Sequence, residues 1–208
     1  MSVTVITIHL MTVTDITKIV DMGRWEPDAR GRLRVAALEL FAERGYEQTT
    51  VADIAERGGV TERTFFRHFS DKREVLFEGS EALQEAVLAS IASAPADLTP
   101  LEIMATAMEA ASSLIAAQPV GYPRIRAAVV AANPSLQERE LLKLANLGVA
   151  AAEALQRRGV PALAAQVAAQ SGVTIFSTGF ERWVTPGHTD DFASCIRAAL
   201  DQLRVLTA

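Results

Sequence analysis

One segment, residues 49–72, constrains the fold of this chain more than any other feature: TTVADIAERGGVTERTFFRHFSDK. Its pattern predicts two short amphipathic helices separated by a glycine turn, followed by the start of another helix. Thr50 and Asp53 have the spacing of a capping box, in which each side chain bonds the backbone N–H of the other residue. The pair Gly58-Gly59 can adopt the left-handed backbone that ends a helix. We therefore predict a helix-turn-helix, the motif that places one helix in the major groove of DNA.

The second helix of this motif divides into an apolar face and a polar face. Thr61 can cap its first turn, and Phe65 and Phe69 are four residues apart, so both lie toward the core. The positions left to meet water or DNA are Thr61, Glu62, Arg63, Thr64 and Arg67. After this helix, Ser70 can cap a long fourth helix, which we predict to begin near Asp71.

Composition predicts an all-α protein. Half of the 208 residues are hydrophobic but only 6% are aromatic, and alanine is abundant, which favours helices over sheets. The single cysteine, Cys195, excludes an intrachain disulfide and is consistent with a reducing, cytoplasmic location. No apolar run approaches the roughly 18–20 residues of a membrane span, so we expect no membrane partner.

Proline and capping signals predict about nine helices in two domains. We expect a helix-turn-helix head of three helices at residues 24–75 and a larger ligand-binding and dimerisation body at residues 76–208. In the body, Thr99-Pro100 followed by Glu102 combines a cap, a first-turn proline and a capping box. Helices are predicted over residues 28–45, 71–94, 99–117, 123–132, 133–159, 161–184 and 190–205.

Residues 1–23 lack the basic start and cleavage site of a signal peptide. We interpret them as a flexible extension or as the product of an upstream start codon, with Met11 and Met22 as internal starts. An arm that touches DNA or a partner is the alternative interpretation. The segment is excluded from the fold prediction.

Residues 36–76, AALELFAERGYEQTTVADIAERGGVTERTFFRHFSDKREVL, resemble the TetR (tetracycline-repressor-like) family of bacterial transcriptional regulators. The resemblance covers about a fifth of the chain and lies in the order and spacing of its apolar, glycine and threonine positions. It implies a homodimer with a DNA-binding head and a ligand-controlled body. It also implies, in most cases, repression at a palindromic operator of double-stranded DNA.

The same resemblance implies DNA-contacting roles for individual residues. Either Thr49 or Thr50 would contact a phosphate at the start of the second helix. Arg63 is the natural reader of guanine because its guanidinium can donate two parallel hydrogen bonds. Phe66 stands where the family often has tyrosine, so it loses a phosphate bond and keeps only packing against a sugar or a thymine methyl. Lys72, in the first turn of the fourth helix, would clamp the DNA backbone. The full predicted set is Thr49, Thr50, Thr61, Arg63, Thr64, Phe66, His68 and Lys72.

Charge is concentrated near this motif. Residues 57–73 contain five basic and two acidic residues, within a chain whose net charge is −5. A local basic face on an acidic protein suits a specific operator binder better than a nonspecific coating protein. Arg30 and Arg32, near the start of the first helix, either lie on a solvated face or reach an adjacent minor groove.

The body resembles a subgroup with an acyl-CoA-like ligand-binding domain, related to regulators of mycofactocin genes. The resemblance rests on Arg124-Ile125-Arg126 and on residues 133–140, NPSLQERE. It implies a small hydrophobic effector such as an acyl-CoA, whose anionic head group the two arginines would neutralise unless they lie on the surface. The predicted pocket residues, which can equally be core, are Met104, Met108, Tyr122, Arg126, Phe176, Phe180 and Trp183.

The last two helices are predicted to form a homodimer seam. Leu200 and Leu203 would contribute to a four-helix interface between two copies. Gly172 and Gly179 permit close backbone approach in the preceding helix.

Two other classes of function remain open from the sequence. A sensor of the same fold could act as an activator or without specific DNA binding. An enzyme is not indicated, because His9, His68 and His188 are scattered along the chain. No metal-ligand spacing and no phosphate-binding glycine loop appears, so no cofactor is expected.

Overall fold

The computed structural model describes residues 29–118 and 121–207, and these residues form nine α-helices without a strand. The prediction of an all-α chain is therefore confirmed for the described residues. The predicted N-terminal extension, residues 1–23, lies outside them. None of the described helices is long and apolar enough to cross a membrane. The helices are α1 Ala29–Arg44, α2 Val51–Arg57, α3 Glu62–His68, α4 Ser80–Ser93, α5 Pro100–Ala116, α6 Tyr122–Ala131, α7 Pro134–Arg157, α8 Ala162–Val184 and α9 Phe192–Thr207.

Both predicted capping boxes, at Thr50 and Thr99, are present. The backbone N–H of Thr50 donates to Asp53 Oδ2 at 2.8 Å, and that of Asp53 donates to Thr50 Oγ1 at 3.1 Å, which completes the capping box of α2. The Thr50 hydroxyl also donates to Asp53 Oδ2, at 2.6 Å. This bond above all, together with the one from the Thr50 backbone N–H, holds the pKa of the Asp53 carboxyl below its usual value. Thr99 and Glu102 form the same arrangement at the start of α5. Local chemistry within four residues thus determines where these helices begin.

The glycine turn between α2 and α3 needs its two glycines for different reasons. Only Gly59 has left-handed backbone, with a φ of +65°. Gly58 is right-handed and lies against its neighbours, since a Cβ atom there would meet Ile54 O at 3.1 Å and Leu33 Cδ2 at 3.2 Å. The expectation of left-handed backbone therefore holds for one of the two residues, and close packing explains the other.

The predicted start of the fourth helix near Asp71 is wrong. Asp71 Oδ1 instead accepts hydrogen bonds from the backbone N–H groups of Arg73 and Glu74, at 2.7 and 3.1 Å, and so forms a local turn. A short 3₁₀ helix follows at Glu74–Phe77, and α4 begins only at Ser80, after Gly79 with a φ of +85°. The sequence at residues 70–71, which resembles a helix cap, thus forms a turn and does not begin a long helix.

The described chain divides into two compact units. The first comprises the described residues up to Leu76 and the segment that ends at Pro134, whereas the second comprises Phe77–Gln118 and the residues from Ser135 onwards. Helix α6 belongs to the first unit because it packs against α1. The Arg34 guanidinium lies 5.2 Å from the centre of the Tyr122 ring, a cation–π distance. The sequence placed this helix in the body, since nothing in its spacing indicates a partner nearly ninety residues earlier.

Helices α4, α5, α7, α8 and α9 all contribute buried side chains to the core of the second unit, and α5 contacts both α8 and α9. Met104 and Met108 on α5 are fully buried. A Cβ atom at Gly172 would lie 2.7 Å from Met104 Cε and 2.9 Å from Met104 Cβ, and one at Gly179 would lie 3.0 Å from backbone atoms of Ile196. The prediction that these two glycines permit close helix approach is confirmed.

Replacing Gly172 with alanine is expected to lower the free energy of unfolding by about 1–3 kcal/mol, because the Met104 Cβ cannot move without its helix. Gly148→Ala is the matched control. A Cβ atom there meets only the end of the exposed Gln170 side chain, which can rotate away. This variant should be neutral or stabilised by up to about 1 kcal/mol through helix propensity. Equal effects of the two substitutions in chemical denaturation would contradict the assignment of a tight α5–α8 contact.

Candidate functional site

Helix α3 is anchored by aromatic side chains on one side. Phe65 is fully buried and Phe69 nearly so, with their ring centres 5.6 Å apart. Thr61 Oγ1 accepts from the backbone N–H of Thr64 at 3.2 Å and caps the first turn, as predicted. The apolar face fixes the helix, and its opposite face lies on the surface of the unit.

The exposed residues of α3 include two arginines, Arg63 and Arg67, and one glutamate, Glu62. Arg63 and Arg67 are exposed, and in the described part of the chain no carboxylate forms an ion pair with either. An Arg67 Nη atom lies 3.5 Å from His68 Nε2. The Thr61 and Thr64 hydroxyls lie 3.1 Å apart. The face therefore presents guanidinium groups and hydroxyls, which are the groups that read base edges and phosphates.

The other basic residues of the predicted strip are engaged within the unit. Arg57 pairs with Glu39 at 3.3 Å and Glu43 at 3.0 Å. The hydrogen bond from Arg57 holds the pKa of the Glu43 carboxyl below its usual value. Arg73 pairs with Asp71 at 2.8 Å. Of the five basic residues in 57–73, only Arg63 and Arg67 lie on α3, and they share that helix with the exposed Glu62.

The prediction that Thr49 can contact a phosphate is wrong for this conformation. Thr49 is fully buried, and its hydroxyl donates to the carbonyl of Gly45 at 2.9 Å, with the carbonyl of Leu40 at 3.3 Å. A residue with no accessible surface cannot contact a phosphate in this conformation. Thr50, its exposed neighbour at the start of α2, is left as the candidate of the pair.

Lys72 holds the loop between α1 and α2. Its Nζ donates to the backbone carbonyls of Tyr46 at 2.8 Å and Thr49 at 3.0 Å, and lies 4.3 Å from the centre of the Tyr46 ring. Lys72 is half-buried. The prediction that it lies in the first turn of the fourth helix is wrong, because that helix begins only at Ser80. Burial raises the pKa of the Tyr46 hydroxyl to about 12, so the ring stays neutral beneath the ammonium. Lys72 therefore positions the N-terminal side of the helix-turn-helix.

Replacing Lys72 with methionine is expected to lower the free energy of unfolding of the first unit by about 1–2 kcal/mol, because two carbonyls lose a charged donor. Because the ammonium is partly exposed to water, this loss of unfolding free energy is smaller than that expected for two fully buried charged hydrogen bonds. The salt dependence of DNA binding should stay unchanged. Unaltered stability, together with a salt slope reduced by about 0.9 for each lost contact, would instead identify Lys72 as a phosphate contact.

The predicted pocket residues are divided between the two units. Tyr122 and Arg126 belong to the first, where Arg126 Nε donates to the Leu76 carbonyl at 2.7 Å. The other five belong to the second: Met104, Met108, Phe176, Phe180 and Trp183. Their assignment to a ligand pocket stays a prediction, since their contacts are equally those of core residues.

Phe192 lies within an aromatic cluster, and the sequence did not predict its place there. Phe192 is buried, and its ring centre lies 5.3 Å from that of Phe176, 5.7 Å from that of Phe180 and 4.9 Å from that of Trp183. The spacing of the three residues on α8 predicts their shared face. Phe192 is the first residue of α9, and only the tertiary fold brings it to that face.

A groove on the surface of the second unit has a volume of about 490 Å³. None of the seven predicted pocket residues lines it. Two of its apolar residues on α8 are exposed, Leu163 by 75% and Val167 by 58%. The lining residues are Leu163, Gln166, Val167, Gln170, Ser171, Thr174 and Leu203.

His188 and Cys195, which no sequence motif linked, lie together in the structure. His188 Nε2 is 3.1 Å from Cys195 Sγ and 3.3 Å from Asp190 Oδ2. Cys195 is buried, and burial raises the pKa of its thiol.

Comparison with known proteins agrees with the helix-turn-helix geometry. Residues 33–78 match the model of a family described as bacterial regulatory proteins, tetR family. These residues form a TetR-family domain. The HTH-type transcriptional regulator TcmR of Streptomyces glaucescens is 48% identical over 81 residues, which cover 39% of this chain and 36% of TcmR. The alignment thus spans about a third of that relative's length.

Solved structures extend the TetR-family similarity to the fold of most of the chain. FadR from Bacillus subtilis, in complex with stearoyl-CoA, is 23% identical, with a TM-score of 0.57 over 83% of this chain and 96% of that one. A putative TetR-family regulator from Syntrophomonas wolfei is 18% identical, with a TM-score of 0.60 over 86% and 94% of the two chains. At these identities the similarity concerns the fold alone.

Proposed function

We propose that the chain is a homodimeric transcriptional repressor that binds a palindromic operator and is released by a small hydrophobic effector. The observation that carries the proposal is the exposed face of α3, where Arg63 has no acidic partner in the described residues. An arginine paired within its own domain would have to exchange that partner for DNA. Within the described residues Arg63 has no such partner, so its two-pronged donor group is available to a guanine.

The remaining DNA contacts follow from exposure and chemistry. Thr50 at the start of α2 would bond a phosphate by turning its hydroxyl away from Asp53 Oδ2, its acceptor at 2.6 Å. The hydroxyls of Thr61 and Thr64 lie near the N-terminal end of α3, where base edges are read. His68 is half-buried at the other end of α3 and would contact the DNA backbone. Phosphate contacts of this kind fix the register of the protein, and Arg63 supplies sequence information.

The outer face of α8 and α9 supports a dimer seam. Apolar side chains exposed at Leu163 and Val167 flank a groove that half-buried Leu203 also lines. Leu200 does not contribute, contrary to the prediction, because it is buried within its own chain. Pairing two copies across this face would form a four-helix bundle and carry two reading helices, which must lie about 34–36 Å apart on DNA.

The effector proposal rests on the composition of the second unit. Its core combines two fully buried methionines on α5 with the aromatic cluster around Phe192. Methionine side chains are unbranched and deformable, so they can rearrange around an apolar ligand. Acyl-CoA is the first class to test, as the similarly folded FadR from Bacillus subtilis is described in complex with stearoyl-CoA. Coupling of about 1–3 kcal/mol would lower operator affinity by about 5–150-fold.

Selection from a library of random duplex DNA tests the proposal and identifies the operator sequence in the same experiment. Repeated binding and amplification should enrich an inverted repeat, and added palmitoyl-CoA or stearoyl-CoA should release it. Recovery of no common sequence at moderate salt would refute specific DNA binding and favour a sensor of the same fold. A repeat that binds more tightly with the acyl-CoA would indicate an effector that promotes binding.

A further inference from the structure

Phe66 is an exposed aromatic side chain on the reading face of α3. Its exposed fraction is 55%, and it is the only aromatic residue among the large exposed apolar residues of 29–118 and 121–207. Its ring meets that of Phe65 edge to face, with centres 5.5 Å apart and planes at 84°. Since Phe65 is fully buried, this contact limits the positions available to the exposed ring.

The neighbours of Phe66 are the groups that would meet base edges. Arg63 lies three residues earlier, so the two side chains are adjacent on the same helical face. The phenyl ring has no hydroxyl and cannot bond a phosphate. In the major groove, the thymine 5-methyl is the apolar group presented by the base pairs. A ring held beside a base-reading arginine is therefore suited to this methyl group.

We propose that Phe66 recognises a thymine methyl in each half-site of the operator. The inference rests on the proposed function and adds a specificity that hydrogen bonding by the neighbouring polar residues does not supply. Burial of one methyl group changes affinity by about three- to fourfold, so loss of both methyls from a palindrome should weaken binding by about tenfold.

The test uses the duplex recovered by selection from random DNA, with thymine replaced by deoxyuridine at one symmetric pair of positions at a time. This exchange removes only the methyl group and leaves every Watson–Crick and major-groove hydrogen-bonding group in place. Fluorescence anisotropy with the full chain should show about a tenfold loss at one pair of positions and little change elsewhere. Phe66→Ala should bind the unmodified duplex about tenfold more weakly and should lose its sensitivity to deoxyuridine at that pair.

The two substitutions form a double-mutant cycle, in which non-additivity reports the contact between ring and methyl. Wild-type binding that is insensitive to deoxyuridine at every position would overturn the inference while leaving the proposed function intact. So would an undiminished methyl effect in Phe66→Ala, because another residue would then read that group. Failure to recover any operator sequence would instead overturn the proposed function itself. Thermal unfolding of Phe66→Ala shows whether a loss of DNA affinity is caused by misfolding. In that case Phe66→Leu, which retains an apolar side chain, replaces Phe66→Ala in the double-mutant cycle.

Discussion

Replacing Arg63 with alanine is expected to weaken operator binding by at least about thirtyfold. A bidentate arginine–guanine contact is worth about 1–3 kcal/mol, and a palindromic site contains two of them. The guanidinium is exposed on α3 and forms no ion pair in the described residues, so its removal should leave the fold of the first unit unchanged. Discrimination should relax at one symmetric base-pair position and persist elsewhere. Anisotropy titrations against duplexes substituted at each position measure both effects.

Arg57→Ala is the matched control for charge. Like Arg63→Ala, it removes one positive charge from the first unit of the protein. Arg57, however, is already paired with Glu39 and Glu43. Its effect on affinity should be small and independent of sequence, and its effect on stability should be within about 1 kcal/mol. Equal losses for the two variants on all duplexes would show that Arg63 contributes only charge, not recognition of a base.

Local signals in the sequence predicted much of the fold because the interactions involved are short in range. The capping boxes at Thr50 and Thr99 close within four residues, so their spacing alone defines where α2 and α5 begin. The start of α4 was not predictable in this way. Asp71 can satisfy the first amides of a helix or of an isolated turn, and here it serves a turn. The residues that follow, Val75, Leu76 and Phe77, are buried, and local spacing does not predict that burial.

The candidate site was predicted less completely, because burial and long-range contacts decide which similar residues face outward. Thr49 and Thr50 have the same side chain, yet only Thr50 is exposed. Lys72 matched a phosphate-contacting position, but its ammonium bonds carbonyls more than twenty residues earlier in the chain. The alternation of apolar and polar positions on α3 did predict its exposed face, since helical periodicity is a local property.

Replacing Val167 with aspartate is expected to dissociate the proposed dimer and to reduce operator affinity by at least about a hundredfold, because each interface would bury two unpaired carboxylates. Val149→Asp is the control, since Val149 is equally exposed, at 57% against 58%, but lies on α7 outside the groove. It should remain dimeric in sedimentation analysis. Val167→Asp should sediment as a folded monomer that binds one half-site weakly. A dimeric Val167→Asp variant, or equal dissociation by both variants, would refute a seam formed by the α8–α9 groove. If only Val167→Asp dissociates and loses operator affinity, DNA binding depends on an interface far along the chain from α3. Reading of a palindrome by two paired helices requires such a dependence.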